Sequence, residues 1–136
     1  MYNVGILPTG NIKYKTNQRL VSMTKQTRKQ NNMKRGTIEL VLLLLLQKGQ
    51  KYGYQLSQEL EEYSDGEYEL KEATMYPTLY RLTQNGHLTC SQVKVGVRRT
   101  RVYYEITSSG REHLQNLKQE YASITGAVDK IIENTK

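Results

Sequence analysis

The sequence predicts a mostly helical α+β fold with three helices, a two-stranded hairpin and a long final helix. Three observations support this prediction. Apolar residues recur at helical spacing in three segments between residues 37 and 85, apolar and polar residues alternate in two segments between residues 88 and 106, and a helical period returns from residue 108 onward. With 136 residues, the chain has room for one hydrophobic core and not for two.

The first two helices are predicted at Ile38 to Gln47 and at Tyr54 to Tyr63. Thr37 is the expected N-cap of the first helix, which is apolar almost all round except at Glu39. The second helix ends at a turn formed by residues 64–66. Because the first helix has almost no polar face, we expect it to be buried on more than one side.

The third helix is predicted from Lys71 to Asn85, after a short extended piece from Glu67 to Leu70. Pro77 lacks a backbone N–H and is comfortable only in the first turn of a helix, so either this helix starts nearer Thr74 or it bends. Three residues form its inner, apolar face: Met75, Leu79 and Leu82.

The two alternating segments, Leu88 to Val93 and Arg101 to Ile106, predict a hairpin whose tip covers Val95 to Thr100. Three helices followed by a hairpin is the element order of a winged helix-turn-helix domain. In such a domain the third helix can lie in the major groove of DNA, while the hairpin, or wing, reaches the neighbouring backbone. We therefore expect residues 33–107 to form a DNA-binding domain.

The final helix is predicted over residues 108–136, capped either by Thr107 or by Ser109 with Glu112 in capping-box spacing. A heptad seam of apolar residues runs along it and predicts a dimerisation surface: Leu114, Leu117, Tyr121, Ile124, Val128 and Ile131. A wing domain of about 70 residues is too small to bury both this seam and the apolar first helix, so we expect a homodimer that reads an inverted repeat. The alternative is that the seam packs back onto its own domain.

The net charge of +7 points to a polyanionic partner such as nucleic acid, and it is unevenly distributed. Residues 1–32 hold six bases and no acid; they predict a disordered basic arm, or else an extended reading frame or tag sequence ahead of Met23 or Met33. Seven acids lie between Glu59 and Glu72, which we interpret as a solvated acidic face. The segment from Ala73 to Tyr104 has five bases and no acid, as expected of a surface that meets a phosphate backbone.

Two groups of side chains are the candidate DNA contacts. The outward face of the third helix carries Ala73, Pro77 and Gln84 together with the four residues that we expect to bond bases or phosphates: Thr74, Tyr76, Tyr80 and Arg81. Arg81 could bind guanine or phosphate through two hydrogen bonds, or form a surface salt bridge; Tyr76 could instead be an aromatic residue at the edge of the core. The wing supplies four bases for affinity and register: Lys94, Arg98, Arg99 and Arg101.

The motifs of this chain resemble the PadR family of bacterial transcriptional regulators. They are, in order, Arg35-Gly36-Thr37-Ile38, Tyr52-Gly53-Tyr54, Thr74 to Leu82 (TMYPTLYRL), Gly86-His87-Leu88 and Arg101 to Arg111 (RVYYEITSSGR). The resemblance covers Met33 to Lys136 and implies a dimeric winged-helix repressor in the bacterial cytoplasm, associated with the nucleoid through DNA. The single long final helix is similar to the short-chain subgroup, whose members dimerise through their first and last helices.

The chain also departs from the family pattern. Ala73 and Met75 replace the usual Gly and Leu around Thr74, and Thr83 stands where Glu commonly follows the Arg-Leu pair, which implies an altered base preference on an intact fold. The drug-binding members that this chain most resembles stack flat ligands on a tryptophan of the last helix. This chain has no tryptophan, and Thr125 stands at the corresponding place. The resemblance therefore argues against drug binding by stacking, and leaves a small-molecule or protein effector open.

Other classes of function have little support in the sequence. The longest apolar run, Leu40 to Leu46, is seven residues, where a membrane span needs about twenty. His87 and His113 have no partner at ligand spacing, and Cys90 is expected to be a small buried side chain, so we expect no enzyme activity, metal or cofactor. The rival function is a winged-helix dimer that acts as a protein-interaction module and touches DNA only weakly.

Overall fold

The computed structural model describes residues 32–136, and the prediction for the N-terminal arm lies outside these residues apart from Asn32. The helices and strands in chain order are α1 (Asn32–Arg35), α2 (Ile38–Leu46), β1 (Lys51–Tyr52), α3 (Gly53–Tyr63), α4 (Glu72–Gln84), β2 (Leu88–Val95), β3 (Arg99–Ile106) and α5 (Ser108–Asn134). The mostly helical α+β prediction is confirmed, including the hairpin and the long last helix; the short helix α1 was not predicted and precedes the three predicted helices.

Helix α2 lies at the centre of the core, because its neighbours cover it on several sides. It packs on α3, α4, β3 and α5, and six of its nine residues are buried. The expectation that this helix needs a second subunit for its burial was therefore wrong, because the chain's own helices cover it. Thr37 stands at the N-cap position, but its hydroxyl does not cap the helix; it donates to the carbonyl of Lys34 and lies 2.8 Å from the hydroxyl of Tyr68.

The sheet has three antiparallel strands in the order β1-β3-β2. β2 and β3 pair along their whole length, from Leu88 opposite Ile106 to Val95 opposite Arg99, and with the turn at residues 96–98 they form the wing. β1 was not predicted, since a strand of two residues shows no alternation. It pairs with the middle of β3, Lys51 opposite Tyr104, and thereby fixes the start of α3 against the base of the wing.

Helix α4 contains Pro77 as its sixth residue and starts at Glu72, not nearer Thr74. Its three predicted inner residues are completely buried, together with the side chain of Thr78, whose hydroxyl donates to the carbonyl of Thr74 at 3.1 Å. The helix ends in a Schellman motif, in which the backbone N–H of His87 donates to Leu82 and that of Gly86 donates to Thr83. This end leads directly into β2.

The start of α5 is held against the end of α4. The N-cap is Thr107, whose hydroxyl accepts from the backbone N–H of Gly110 at 3.0 Å and donates to the carbonyl of Gly86 at 2.7 Å. Gly110 approaches the carbonyl of His87 so closely that a Cβ at this position would overlap it. The long helix and the end of α4 therefore form one packed unit. None of the helices within residues 32–136 is long and apolar enough to span a membrane.

Candidate nucleic-acid interface

The residues of α4 that are predicted to contact DNA differ in how far their side chains are buried. Thr74 and Tyr80 are exposed, Tyr80 by 50%. Tyr76 is half-buried, and its hydroxyl lies against the backbone of Gly53 at the start of α3, where a Cβ would overlap the phenol. The side chain of Tyr76 thus joins α4 to α3 at the core edge, and its ring still borders the surface.

Arg81 forms an ion pair with Glu39 of α2. Its Nε and Nη2 both lie 3.1 Å from Oε2 of Glu39, and the Arg81 side chain remains 55% exposed. The salt bridge considered as the alternative for this residue is therefore present. It uses one edge of the guanidinium and leaves the other edge in solvent, so a contact with DNA through that edge remains a prediction.

The wing carries four predicted bases and one acid, Glu105, near the end of β3. Lys94, Arg98 and Arg99 are exposed, and within residues 32–136 none of the four predicted wing bases forms a salt bridge. Arg101 is half-buried because its guanidinium stacks over the ring of Tyr52, 4.2 Å from the ring centroid. The wing therefore carries a positive charge that other groups of the described chain do not neutralise.

A cleft of about 540 Å³ separates the wing from the start of α3 and the outer side of α4. Its lining combines two guanidinium groups and three phenols: Tyr52, Gly53, Tyr54, Tyr76, Arg99, Thr100, Arg101 and Val102. Because α3 begins at Gly53, the positive end of its helix dipole lies at one end of this cleft. Hydrogen-bond donors and positive charge thus line one concave surface, which suits a phosphate.

The cleft adds residues that sequence reasoning did not select as contacts, namely Tyr52 and Tyr54. Tyr52 meets Tyr103 edge to face at 5.4 Å between ring centroids, and Tyr54 is exposed. The Tyr52-Gly53-Tyr54 motif is the sequence signal at these positions, and it indicates the family resemblance without indicating a DNA contact. Tyrosines are typical of a half-buried sheet as well as of an interface, so their composition alone does not assign a role.

The acidic block lies on α3, on the loop that follows it and, at Glu72, on the first residue of α4. Glu59 is half-buried and pairs with Lys51 at 3.2 Å, whereas Glu61, Glu62 and Glu69 are exposed. Within residues 32–136, no group of three or more histidine, cysteine or acidic side chains has a geometry that could hold a metal ion.

The predicted seam on α5 divides into two parts. Leu114 is 1% exposed and belongs to the core of its own domain, and Leu117 packs against the same core. The other four residues are 46% to 62% exposed and continue away from the domain as an apolar stripe: Tyr121, Ile124, Val128 and Ile131. The alternative that the seam packs onto its own domain therefore holds for Leu114 and Leu117. Of the predicted seam, the stripe is the part that is exposed and available to a second copy.

The two histidines lie together behind the end of α4. The rings of His87 and His113 stack in parallel at 4.2 Å between centroids, and Nδ1 of His87 lies 2.9 Å from the Ser109 hydroxyl. Burial lowers the pKa of His87 below its ordinary value of 6.5, the charge of His113 lowers it further, and the charge of Glu39 and a hydrogen bond with the backbone of Ser109 offset part of this shift. His87 therefore takes up a proton less readily than a histidine in the unfolded chain.

A lowered pKa in the folded protein makes stability pH-dependent. The unfolded chain takes up the proton on His87 more readily, so this contribution to stability is complete above pH 6.5 and is lost as the pH falls through the lower, folded pKa. We expect the melting temperature to fall between about pH 7.5 and about pH 5.5 and His87→Gln to reduce this fall. Circular dichroism melting curves measure the melting temperature at each pH. An equal fall of the melting temperature with pH in the wild-type protein and in His87→Gln would contradict the lowered pKa of His87.

Comparison with a family model and with a known protein sequence gives one match each. Residues 41–116 match the family model described as transcriptional regulator PadR-like family. An uncharacterised protein of Lysinibacillus sphaericus is 31% identical over 99 residues, which cover 73% of this chain and 91% of that protein.

Two solved structures extend the comparison. A transcriptional regulator from Clostridium thermocellum has a TM-score of 0.69 and 28% identity, over 73% of this chain and 96% of that one. Bacillus subtilis PadR, solved in complex with operator DNA, has a TM-score of 0.56 and 28% identity, over 59% of this chain and 45% of that one.

Proposed function

The chain belongs to the PadR-like family of transcriptional regulators, and we propose that it is a homodimeric repressor that binds an inverted repeat in double-stranded DNA. Helix α4 of each copy enters a major groove, and the wing rests on the adjacent backbone. A dimer seated on such a repeat represses by occupying the DNA, which requires no surface beyond the DNA and dimer contacts.

The observation that carries this proposal is the continuous surface from the wing to α4. Lys94, Arg98 and Arg99 are exposed and have no acidic partner in the described chain, and the cleft beside them holds Arg101 and three phenols. A protein-interaction module has no need of a wing whose four bases form no salt bridge in the described chain, whereas a phosphate backbone attracts such a wing and releases counterions on contact. The operator DNA bound by the related Bacillus subtilis PadR supports the same class of partner.

The cleft is the place where we expect the wing and α4 to contact the same part of the DNA backbone. A phosphate placed there meets the guanidinium of Arg99 and the phenol of Tyr54. Such contacts fix the register of the protein on the duplex and leave sequence reading to the outward face of α4. Thr74, Tyr80 and Arg81 are the side chains that we assign to that reading.

The stripe on α5 supports the dimer. Four apolar side chains at heptad spacing and about half exposed form a surface that a monomer would leave in water, as coiled-coil seams do before pairing. Pairing of two α5 helices buries the stripe and sets the two α4 helices about 34 Å apart, one turn of DNA. A regulator of this kind acts in the bacterial cytoplasm on the nucleoid, without enzyme activity or a cofactor.

The test is a mobility shift against the DNA upstream of the protein's own gene at two salt concentrations, followed by footprinting. We expect specific binding, a steep loss of affinity with salt and two protected half-sites of inverted symmetry. Absent or salt-insensitive binding would overturn the proposal and favour the protein-interaction module instead.

A further inference from the structure

Glu39 lies where three helices meet, and both of its carboxylate oxygens are engaged. Oε2 accepts from Nε and Nη2 of Arg81 on α4, each at 3.1 Å, and Oε1 lies 2.9 Å from Nε2 of His113 on α5. A carboxylate bonded on both oxygens by two different helices has a fixed orientation. Glu39 therefore fixes the plane of the Arg81 guanidinium.

The edge of Arg81 that Glu39 leaves open can form a bidentate contact with guanine. A guanidinium has five N–H groups, and Glu39 takes the one on Nε and one on Nη2. Three N–H groups remain on Nη1 and Nη2, and no other acceptor within residues 32–136 bonds them. Two parallel donors of this kind match O6 and N7 of guanine in the major groove.

The histidine that bonds Glu39 is itself held by packing between α5 and the end of α4. His113 stacks on His87, whose backbone carbonyl lies against Gly110, so the histidine that bonds Glu39 belongs to the packed unit of α5 and the end of α4. Burial would raise the pKa of Glu39, but the hydrogen bonds and positive charges of His113 and Arg81 outweigh burial and lower it. Glu39 is thus a carboxylate at neutral pH.

We propose that Glu39 is a positioning residue for sequence reading, which holds Arg81 with its Nη1–Nη2 edge toward a guanine. This inference rests on the proposed function. A free arginine side chain must give up rotamer freedom when it binds a base, whereas Arg81 has already lost that freedom in the ion pair. Glu39 itself touches no DNA and acts through Arg81.

Glu39→Gln keeps the size of the side chain and removes its charge. One of the two oxygens becomes an NH₂ donor and the other becomes a neutral acceptor, so Arg81 loses either its acceptor or the negative charge that strengthens both of its bonds. The substitution also adds one positive charge to the protein, which favours every duplex equally. We therefore expect non-specific affinity to hold or rise while discrimination at one guanine falls on the order of 5-fold, within the range of measured pairwise couplings.

The experiment first selects duplexes from a random library with the wild-type protein, and then measures affinity for the selected duplex and for single base-pair replacements at each guanine. Arg81→Ala identifies the guanine read by Arg81, with an expected loss of discrimination of roughly 5-fold to 150-fold there. Glu39→Gln should reduce discrimination at that same position, and adding it to Arg81→Ala should change nothing further. Glu61→Gln, an exposed acid on α3, controls for the added charge.

Three results would overturn the inference: undiminished discrimination in Glu39→Gln, a loss spread equally over all duplexes, or undiminished discrimination in Arg81→Ala. A second measurement, which needs no DNA, distinguishes failure of this inference from failure of the proposed function. In a nuclear magnetic resonance spectrum, the Nε–H of Arg81 should exchange slowly in the wild-type protein and rapidly in Glu39→Gln. If the library yields no preferred sequence, the proposed function and the reading role of Arg81 fail together, while the spectrum still reports whether Glu39 holds the guanidinium.

Discussion

Ile124→Lys is expected to convert the dimer to a monomer and to weaken binding to an inverted-repeat duplex roughly 100-fold. Ile124 lies in the middle of the stripe and is 59% exposed, so the substitution leaves the domain core intact. In a paired seam, however, two lysines would place two like charges in an apolar contact. Each monomer then binds one half-site alone and loses the gain in affinity from a second linked site. Sedimentation velocity measures the oligomeric state, and fluorescence anisotropy measures the affinity.

Gln119→Lys is the matched control for this substitution. Position 119 is exposed on the side of α5 opposite the stripe, so the new lysine adds the same charge without touching the seam. We expect this variant to remain a dimer and to bind DNA at least as tightly as the wild-type protein. A dimer that survives Ile124→Lys would show that the stripe is not the interface.

The division of the seam illustrates what residue spacing can and cannot predict. Steps of three and four place Leu114 and Ile124 on one helix face, and this part of the prediction needs only the geometry of a helix. Spacing does not say what covers that face. Leu114 is buried by its own domain because Thr107 and Gly110 fix the first turns of α5 against the end of α4, whereas Ile124 lies beyond the reach of the domain.

The candidate interface shows the same limit. The wing bases follow from sequence, because an acid-free run across an alternating pattern predicts a basic hairpin without knowledge of its neighbours. The pairing of Arg81 with Glu39 joins residues 42 positions apart, and neither periodicity nor local charge indicates it. β1 is equally hidden, because two residues carry no alternation, and yet its pairing with β3 places Tyr52 beneath Arg101.

The double variant Arg98→Ala/Arg99→Ala is expected to weaken binding to every duplex and to flatten its dependence on salt. Both side chains are exposed at the wing tip and have no acidic partner within residues 32–136, so their removal should leave the fold unchanged. Each phosphate that is no longer neutralised lowers the slope of log affinity against log salt by about 0.9, so removing both arginines from each of two subunits lowers it by about 3.6. Titrations at four salt concentrations on the selected duplex and on a random one give both slopes.

The control removes the same number of charges elsewhere, with Lys118→Ala/Lys136→Ala on and after α5. Loss of net charge alone weakens long-range attraction in both variants, whereas release of counterions from bound phosphates is lost only if the wing touches the backbone. The wing variant should therefore have a lower slope than the control on both duplexes. Equal slopes would place the wing away from DNA, and a loss confined to the selected duplex would mean that Arg98 or Arg99 reads bases instead of holding the backbone.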